Sequence, residues 1–467
     1  GHVRSRKILS KTSPSVGYLK KTDGTWTNSS EDSLHILLDT HFPGCTTIEP
    51  ADTPSEGPET SMGHILTKWK FSWAVNSFKS YKSPGPDKVI PTQLQKAGDM
   101  AINWLQSIFR KILTVGKIPR AWLKAKIVFI PKAGKPSHTT PKDFRPISLS
   151  SFLLKTFERL VGLQLRTTIN PQWLSGAQHA YRKGKSTETA LHEVISAVEK
   201  SLHVKEYSLI AFLDIEGAFN NVIPGAITEA LTDLGVDRHL VMLIDQLLTC
   251  RTVTSSMGSS TQSRYVNRGT LQGGVLSPLL WNIAVNKILC DLEGEGCKVV
   301  AYADDVAIIF SGKFPQTLCE LMTAKLARLS EWTKSRGLGI NPSKTELVLF
   351  TTKYKIPSLN PPILNGCRLS FSDSASYLGL VIDKKLSWNL SIKDRVKKAT
   401  IALYTCKKAI GLKWGMNPRI VQWIYLAIVR PILLYGVAVW WTALSKGTIT
   451  KQLSKVQRTA ALSISGA

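Results

Sequence analysis

Lys298-Val299-Val300-Ala301-Tyr302-Ala303-Asp304-Asp305-Val306-Ala307-Ile308-Ile309-Phe310 is the stretch that decides the fold. Two apolar runs of strand length flank four residues that end in adjacent carboxylates, a layout that predicts a β-hairpin with an exposed acidic tip. Two buried strands would hold those carboxylates close together. Their mutual repulsion is relieved by a divalent metal ion and not by a lone lysine. The stretch therefore points to a metal site for phosphate chemistry.

A third carboxylate is needed to hold two ions. Asp214 supplies it in Phe212-Leu213-Asp214-Ile215-Glu216-Gly217-Ala218-Phe219, where it too ends an apolar strand. Two divalent ions about 3.5 to 4 Å apart activate a hydroxyl and stabilise a leaving pyrophosphate, which requires convergent carboxylates. Further strands are expected at 208–213, 298–301, 306–310 and 346–350, with another at 126–130 ending on Pro131. Helical spacing marks a stretch from Ile65 to the Ser83-Pro84-Gly85-Pro86-Asp87 break, and then 92–114, 153–168, 188–202 and 224–234. The sum is an α/β (α+β) arrangement in which a small sheet carries acidic strand ends.

Charge narrows the partner class. The chain has 467 residues, 60 Lys plus Arg against 33 Asp plus Glu, and a formal charge of +27. That excess favours a polyanion, and nucleic acid is the commonest one. Seven cysteines without a C-x-x-C pair read as reduced thiols in an intracellular protein. The apolar run from Ile420 to Trp441 is interrupted by Arg430-Pro431, so it is expected to be a broken, packed helix pair and not a membrane span.

Organisation follows composition. Residues 1–64 read as an extension, with a capped helix after Asn28-Ser29-Ser30-Glu31 and then an acidic, Pro-rich linker between His41 and Leu66 that lacks Lys and Arg. Residues 65–385 carry the motifs. Residues 386–467 form a basic helical module in which Asp394 is the only acid after residue 390. The chain begins with Gly1 and is expected to be part of something longer.

Nine motifs in order give the chain a family resemblance: SPGPDKVIP from Ser83, KAKIVFIPKAGK from Lys124, DFRPISL from Asp143, QHAYRKGKST from Gln178, FLDIEGAFNNV from Phe212, RGTLQGGVLSPLLWN from Arg268, YADD from Tyr302, GLGINPSKTELVLF from Gly337 and YLGLVID from Tyr377. Together they resemble the reverse transcriptase of non-LTR, LINE-type retrotransposons, closest in pattern to the Jockey-like group. The resemblance implies a right-hand polymerase with fingers and palm over residues 65–385 and a helical thumb over 386–467. It implies an RNA-directed DNA polymerase that uses Mg²⁺, with Mn²⁺ as a substitute. Asp214 and Asp304 correspond to the metal-binding carboxylates, Asp305 to a weaker or structural ligand, and Ile215 to a backbone carbonyl ligand.

Other roles follow at matching positions. Phe219 resembles the gate that occupies the place of a ribose 2′-hydroxyl, and Gln272 with Gly273 the loop beside the incoming nucleotide. Lys126 and Arg145 resemble the residues that hold the triphosphate, and Lys344 the lysine that protonates pyrophosphate. Tyr377, Leu378 and Gly379 resemble the primer grip. Arg182, Lys183 and Lys185 around Gly184 are the expected primer or template contacts, whereas His179 reads as a packing or template residue and Glu216 as no metal ligand. The partners implied are an RNA template, a DNA primer or target, and dNTPs, with no membrane and no stable protein partner. Kinship also implies synthesis primed at the chromosomal target, in the nucleus, after a cytoplasmic ribonucleoprotein stage. A non-catalytic nucleic-acid-binding relative and an RNA-dependent RNA polymerase are the alternatives. Against them stand the complete carboxylate set, the bulky aromatic at 219, and Ala303 where RNA polymerases carry Gly. No endonuclease, RNase H or Cys/His knuckle pattern is legible, so nicking of the target is not expected of this piece.

Overall fold

The computed structural model describes residues 17–48, 62–132, 134, 137–407 and 417–465. Its strands, in chain order, are β1 (Lys124–Pro131), β2 (Phe144–Ser150), β3 (Tyr207–Glu216), β4 (Arg251–Met257), β5 (Ser260–Val266), β6 (Cys297–Tyr302), β7 (Asp305–Gly312), β8 (Gly339–Ile340), β9 (Glu346–Phe350), β10 (Ile363–Leu364), β11 (Cys367–Arg368), β12 (Ser374–Tyr377) and β13 (Leu380–Asp383).

The central sheet follows from continuous apolar runs. β3 is buried from Tyr207 to Leu213, and pairs antiparallel with β7 along one edge and with β9 and β8 along the other, while β6 pairs with β7. Side chains alternate between two cores, as a period of two requires. Leu209, Ala211 and Leu213 join one core with the helices Ser277–Leu292 and Pro315–Ser335, whereas Ile210 and Phe212 join the other. The second core takes in the helix Thr187–His203 and, from the C-terminal module, Trp388, Ile392, Val429, Leu433 and Trp440. The fold is thus α+β with an antiparallel palm, and the basic helices share the core behind it.

A second sheet, ordered β2-β1-β4-β5, forms the fingers. One face buries Ala125, Ile127, Phe129, Phe144 and Val253 against Leu34, Leu37 and Leu38. Those leucines lie on the helix Ser30–His41, whose N-cap Ser29 accepts from the Asp32 N–H. The cap is as expected, but the helix is no loose appendage, because its apolar stripe completes the fingers core. The ends of the expected linker are also packed: Phe42, Met62, Ile65 and Leu66 are buried. Its acidic, Pro-rich middle lies outside the described residues.

Two helix boundaries differ from expectation. The first stretch is helical only from Lys68 to Asn76, and the second divides into Pro91–Gln95 and Asp99–Val115 around Gly98. The Ile420–Trp441 run is broken, but not at Arg430-Pro431 as expected: a π-helical turn, Tyr425–Val429, absorbs the N–H that Pro431 lacks, the helical course continues to Leu433, and the 50° bend falls between Leu433 and Val437, where Gly436 takes φ 69°.

Candidate active site

Asp214 stands directly opposite Asp305 in the β3–β7 ladder. Residues so paired point to one face with Cβ atoms roughly 4.5–5.5 Å apart. Asp304 belongs to the two-residue turn between Tyr302 and Asp305, and its carbonyl accepts from the Ile215 N–H at 3.0 Å. The tip is not exposed as expected: Ala303 is buried and the three carboxylates are half-buried. Burial is the main reason that all three carboxyls titrate above their usual range. Asp305 reaches about 7, because Asp304 and Asp214 add their repulsion to its burial. Arg145 and Lys132 partly offset the rise at Asp304, and Lys344 and Lys132 that at Asp214.

Ala303 lies at φ 57°, a left-handed conformation that costs a residue with a Cβ roughly 1–2 kcal/mol. Its peptide is held on both sides. The N–H donates to Gln178 Oε1 at 3.1 Å, and the carbonyl accepts from Trp281 Nε1 at 2.9 Å and from Gln178 Nε2 at 3.4 Å. Gln178 belongs to a short extension of the palm sheet: the His179 N–H donates to the Ala301 carbonyl, and the Ala301 N–H to that of Ala177. His179 itself is a packing residue, bonded to Thr189 and Glu193 at 2.8 Å each.

Of the expected nucleotide-side residues, Phe219 and Arg145 reach this tip, while Gln272 and Gly273 contact the segments beside them and Lys126 stands apart. The Phe219 ring meets those of Trp281 at 5.9 Å and Tyr181 at 6.2 Å. Tyr181 also lies close enough for Asp304, after burial, to push its phenol up. Gln272 donates to Asn220 Oδ1 at 3.3 Å, and its carbonyl accepts from the Ser148 N–H at 2.7 Å. Gly273, at φ 112°, sits so close to Ser148 that a Cβ would come within 2.7 Å of the Ser148 carbonyl oxygen. Arg145 projects from the open face of β2, which also carries Lys126 on β1. Arg145 acts electrostatically on Asp304, and Lys132, just past β1, acts on both Asp304 and Asp214. Lys126 lies four positions from Ile130, the register partner of Arg145, and Lys132 two, so Lys132 is the better-placed lysine.

Lys344 forms an ion pair with Glu216, which Asn341 Nδ2 also approaches at 3.5 Å. That assigns Glu216 a place that sequence reading left open. Arg182 donates to the Ser175 carbonyl and Lys185 to that of Gly176, so both tie down the preceding loop, while Lys183 is exposed. Tyr377 is buried against Phe212, with its hydroxyl 3.4 Å from the Val300 carbonyl, and so presents no side chain to a primer. The turn surface is Leu378, at φ 45°, and Gly379. The C-terminal helices grip that turn: Arg395 donates to the Gly379 carbonyl and Tyr435 to that of Leu378. Missed by sequence reading were Gln178, Tyr181, Trp281 and Lys132. All four lie inside the quoted motifs, but only Lys132, a cation beside Pro131 at a strand end, carried a local signal.

A model of the reverse transcriptase (RNA-dependent DNA polymerase) family matches residues 130–382, more than half of the chain. The chain belongs to the reverse transcriptase family. The Jockey-like resemblance is borne out among its relatives. The probable RNA-directed DNA polymerase from transposon BS of Drosophila melanogaster is 30% identical over 434 residues, covering 91% of this chain and 48% of that protein. The RNA-directed DNA polymerase from mobile element jockey of the same species is 29% identical over 377 residues, covering 77% and 40%. This reverse transcriptase chain thus spans less than half the length of those relatives. A solved structure of apo telomerase from Candida tropicalis is similar at a TM-score of 0.42 and 13% identity, covering 78% of this chain and 67% of that one.

Reverse transcriptases use a divalent metal cofactor, and the site suits one in its chemistry. Among the described residues no group of three or more His, Cys, Asp and Glu side chains is arranged to hold an ion. Mg²⁺, however, is typically bound through one or two carboxylates with substrate phosphates and water completing its shell. Asp214 and Asp304 offer hard oxygen donors whose mutual repulsion a cation would relieve.

Proposed function

We propose that this reverse transcriptase copies an RNA template into DNA by adding dNTPs to a primer 3′-hydroxyl, with Mg²⁺ as its metal and Mn²⁺ as a substitute. The observation that carries the reading is the pairing of Asp214 with Asp305 beside Asp304, three half-buried carboxylates of which Asp214 repels Asp304 and both repel Asp305, where Arg145 and Lys132 bring positive charge. Bound divalent ions would supply hydroxyl activation and charge stabilisation at the leaving pyrophosphate.

The chain's own residues do the rest. Asp214 and Asp304 would hold the ions, with the Ile215 carbonyl as a further oxygen donor, and Asp305 would tune their charge from across the ladder. Arg145 and Lys132 hold the triphosphate, for which a guanidinium fork and an ammonium are both suited. Phe219, braced by Trp281 and Tyr181, excludes a 2′-hydroxyl. Gln272 and Gly273 form the wall beside the base. Lys344, paired with Glu216, supplies the proton to pyrophosphate. Leu378 and Gly379 press the primer end towards the carboxylates, with Lys183 on the template side. Priming at a nicked chromosomal strand in the nucleus belongs to the same reading, through the kinship with mobile elements.

Primer extension on an RNA template tests it. The expected result is Mg²⁺-dependent extension with dNTPs and not NTPs, abolished by Asp304→Asn; activity that survives this substitution would falsify the metal assignment.

A further inference from the structure

We infer that Gln178 and Trp281 are positioning residues that aim Asp304 by clamping the Ala303 peptide, an inference that rests on reading Asp304 as a metal-binding carboxylate. The β6–β7 ladder ends at the Tyr302–Asp305 pair, so the Ala303 peptide has no partner in the sheet. It is buried, and its polar groups must be satisfied by side chains or be left costly and unpaired. Gln178 and Trp281 satisfy all of them.

The orientation of the Gln178 amide is fixed by its surroundings. Its oxygen accepts two N–H groups, from Ala303 at 3.1 Å and Ala180 at 2.9 Å, while its nitrogen faces the Ala303 carbonyl. A flipped amide would set donors against donors. The clamp matters because Ala303 holds a left-handed turn without the freedom of glycine. Asp304 is the next residue, and its own carbonyl is anchored to the Ile215 N–H. The tip is therefore fixed from β3, from the Gln178 segment and from the helix that carries Trp281.

The same indole touches the Phe219 ring. Trp281 thereby stands between the Phe219 ring and the carboxylate tip, in contact with both the ring and the Ala303 carbonyl.

Steady-state extension with Mg²⁺ titration tests the clamp. Trp281→Phe keeps an aromatic ring but deletes the N–H; it is expected to lower kcat about five- to tenfold, the worth of one buried hydrogen bond, and to raise the Mg²⁺ concentration for half-activation. Gln178→Met is expected to lower kcat further, by about a hundredfold, with primer-template affinity unchanged. Adding Ala303→Gly to Gln178→Met should recover part of the loss, since glycine adopts the turn unaided. Wild-type kcat and Mg²⁺ half-activation in both single variants would overturn the inference. So would a loss that Ala303→Gly leaves untouched while primer-template affinity and Tm fall together. Asp304→Asn, run alongside, separates the two readings: if it stays active, the metal assignment fails, and if it is dead while the clamp variants match wild type, the clamp alone fails.

Discussion

A methyl group on Gly273 would lie 2.7 Å from the Ser148 carbonyl oxygen, on a backbone whose φ of 112° already disfavours a side chain. Gly273→Ala should therefore push the loop away from β2 and raise the KM for dNTPs at least about tenfold in extension kinetics, with primer binding retained. Phe219→Val removes the ring that Tyr181 and Trp281 brace. NTP incorporation measured against dNTP incorporation should rise, and unchanged discrimination would remove its role as gate. Asp305 offers a pH test. Its carboxyl goes from a usual value of 3.8 to about 7 in the folded, metal-free protein, so the native state binds a proton more readily than the unfolded chain does. Stability from this group is then present at low pH and is lost as pH rises towards and through about 7. His41 and His179, buried and shifted down, act in the opposite sense. The measurement is therefore a difference: in EDTA, Asp305→Asn should gain Tm over wild type more at pH 8 than at pH 5, and Mg²⁺ should narrow the gap. At this scale the carboxylates were legible because adjacent charges at strand ends conflict with burial. Gln178 and Trp281 were not, since their role depends on a turn brought to them by residues more than 20 positions away.

The palm strands β3, β6, β7 and β9 were readable because each is a buried apolar run of strand length, and β3 alternates cleanly between two cores, whereas the two-residue β8 left no such run. β4 and β5 were missed. Their open-face residues Thr252, Thr254 and Ser263 are polar and leave no apolar run to find. The SPGPD turn was readable as a break but not as a contact. A Cβ on Gly85 would come within 2.6 Å of the Ser150–Ser151 backbone, and Asp87 accepts from Ser151 Oγ at 2.5 Å, so the turn is a buttress for the end of β2. Where the palm passes into the C-terminal helices, Asp383 accepts from the N–H groups of Lys385, Ser387 and Trp388 and from Ser387 Oγ. Asp383→Ala leaves those donors without their anion and should cost roughly 2–4 kcal/mol. Thermal unfolding and limited proteolysis near residue 388 would report it, and an unchanged Tm would show that the junction is held by packing alone.

A formal charge of +27 is a property of the whole molecule. Primer-template affinity should fall steeply with salt, by roughly 0.9 of a log unit per log of salt for each duplex phosphate engaged. A binding curve flat between 50 and 200 mM salt would sink the polyanion reading. The apolar C-terminal run is buried along one face only, with Ile420, Trp423, Leu426 and Ile428 exposed; among the described residues no single helix is long and apolar enough to cross a membrane, and the one candidate pair is bent by 50°. Its buried members Val429, Leu433, Val439 and Trp440 pack in the core behind the palm. The grip of Arg395 and Tyr435 on the Leu378–Gly379 turn ties these helices to the expected primer end.

Ser148 links two parts of the proposed nucleotide site. Its N–H bonds to Gln272, its carbonyl seats Gly273, and three residues earlier on the same strand stands Arg145. The proposed contact for the phosphates and the proposed wall for the base are thus spaced by one shared ruler, the backbone of β2. A nucleotide entering the pocket would meet both at a distance set before it arrives, so discrimination by size requires no hinge between them.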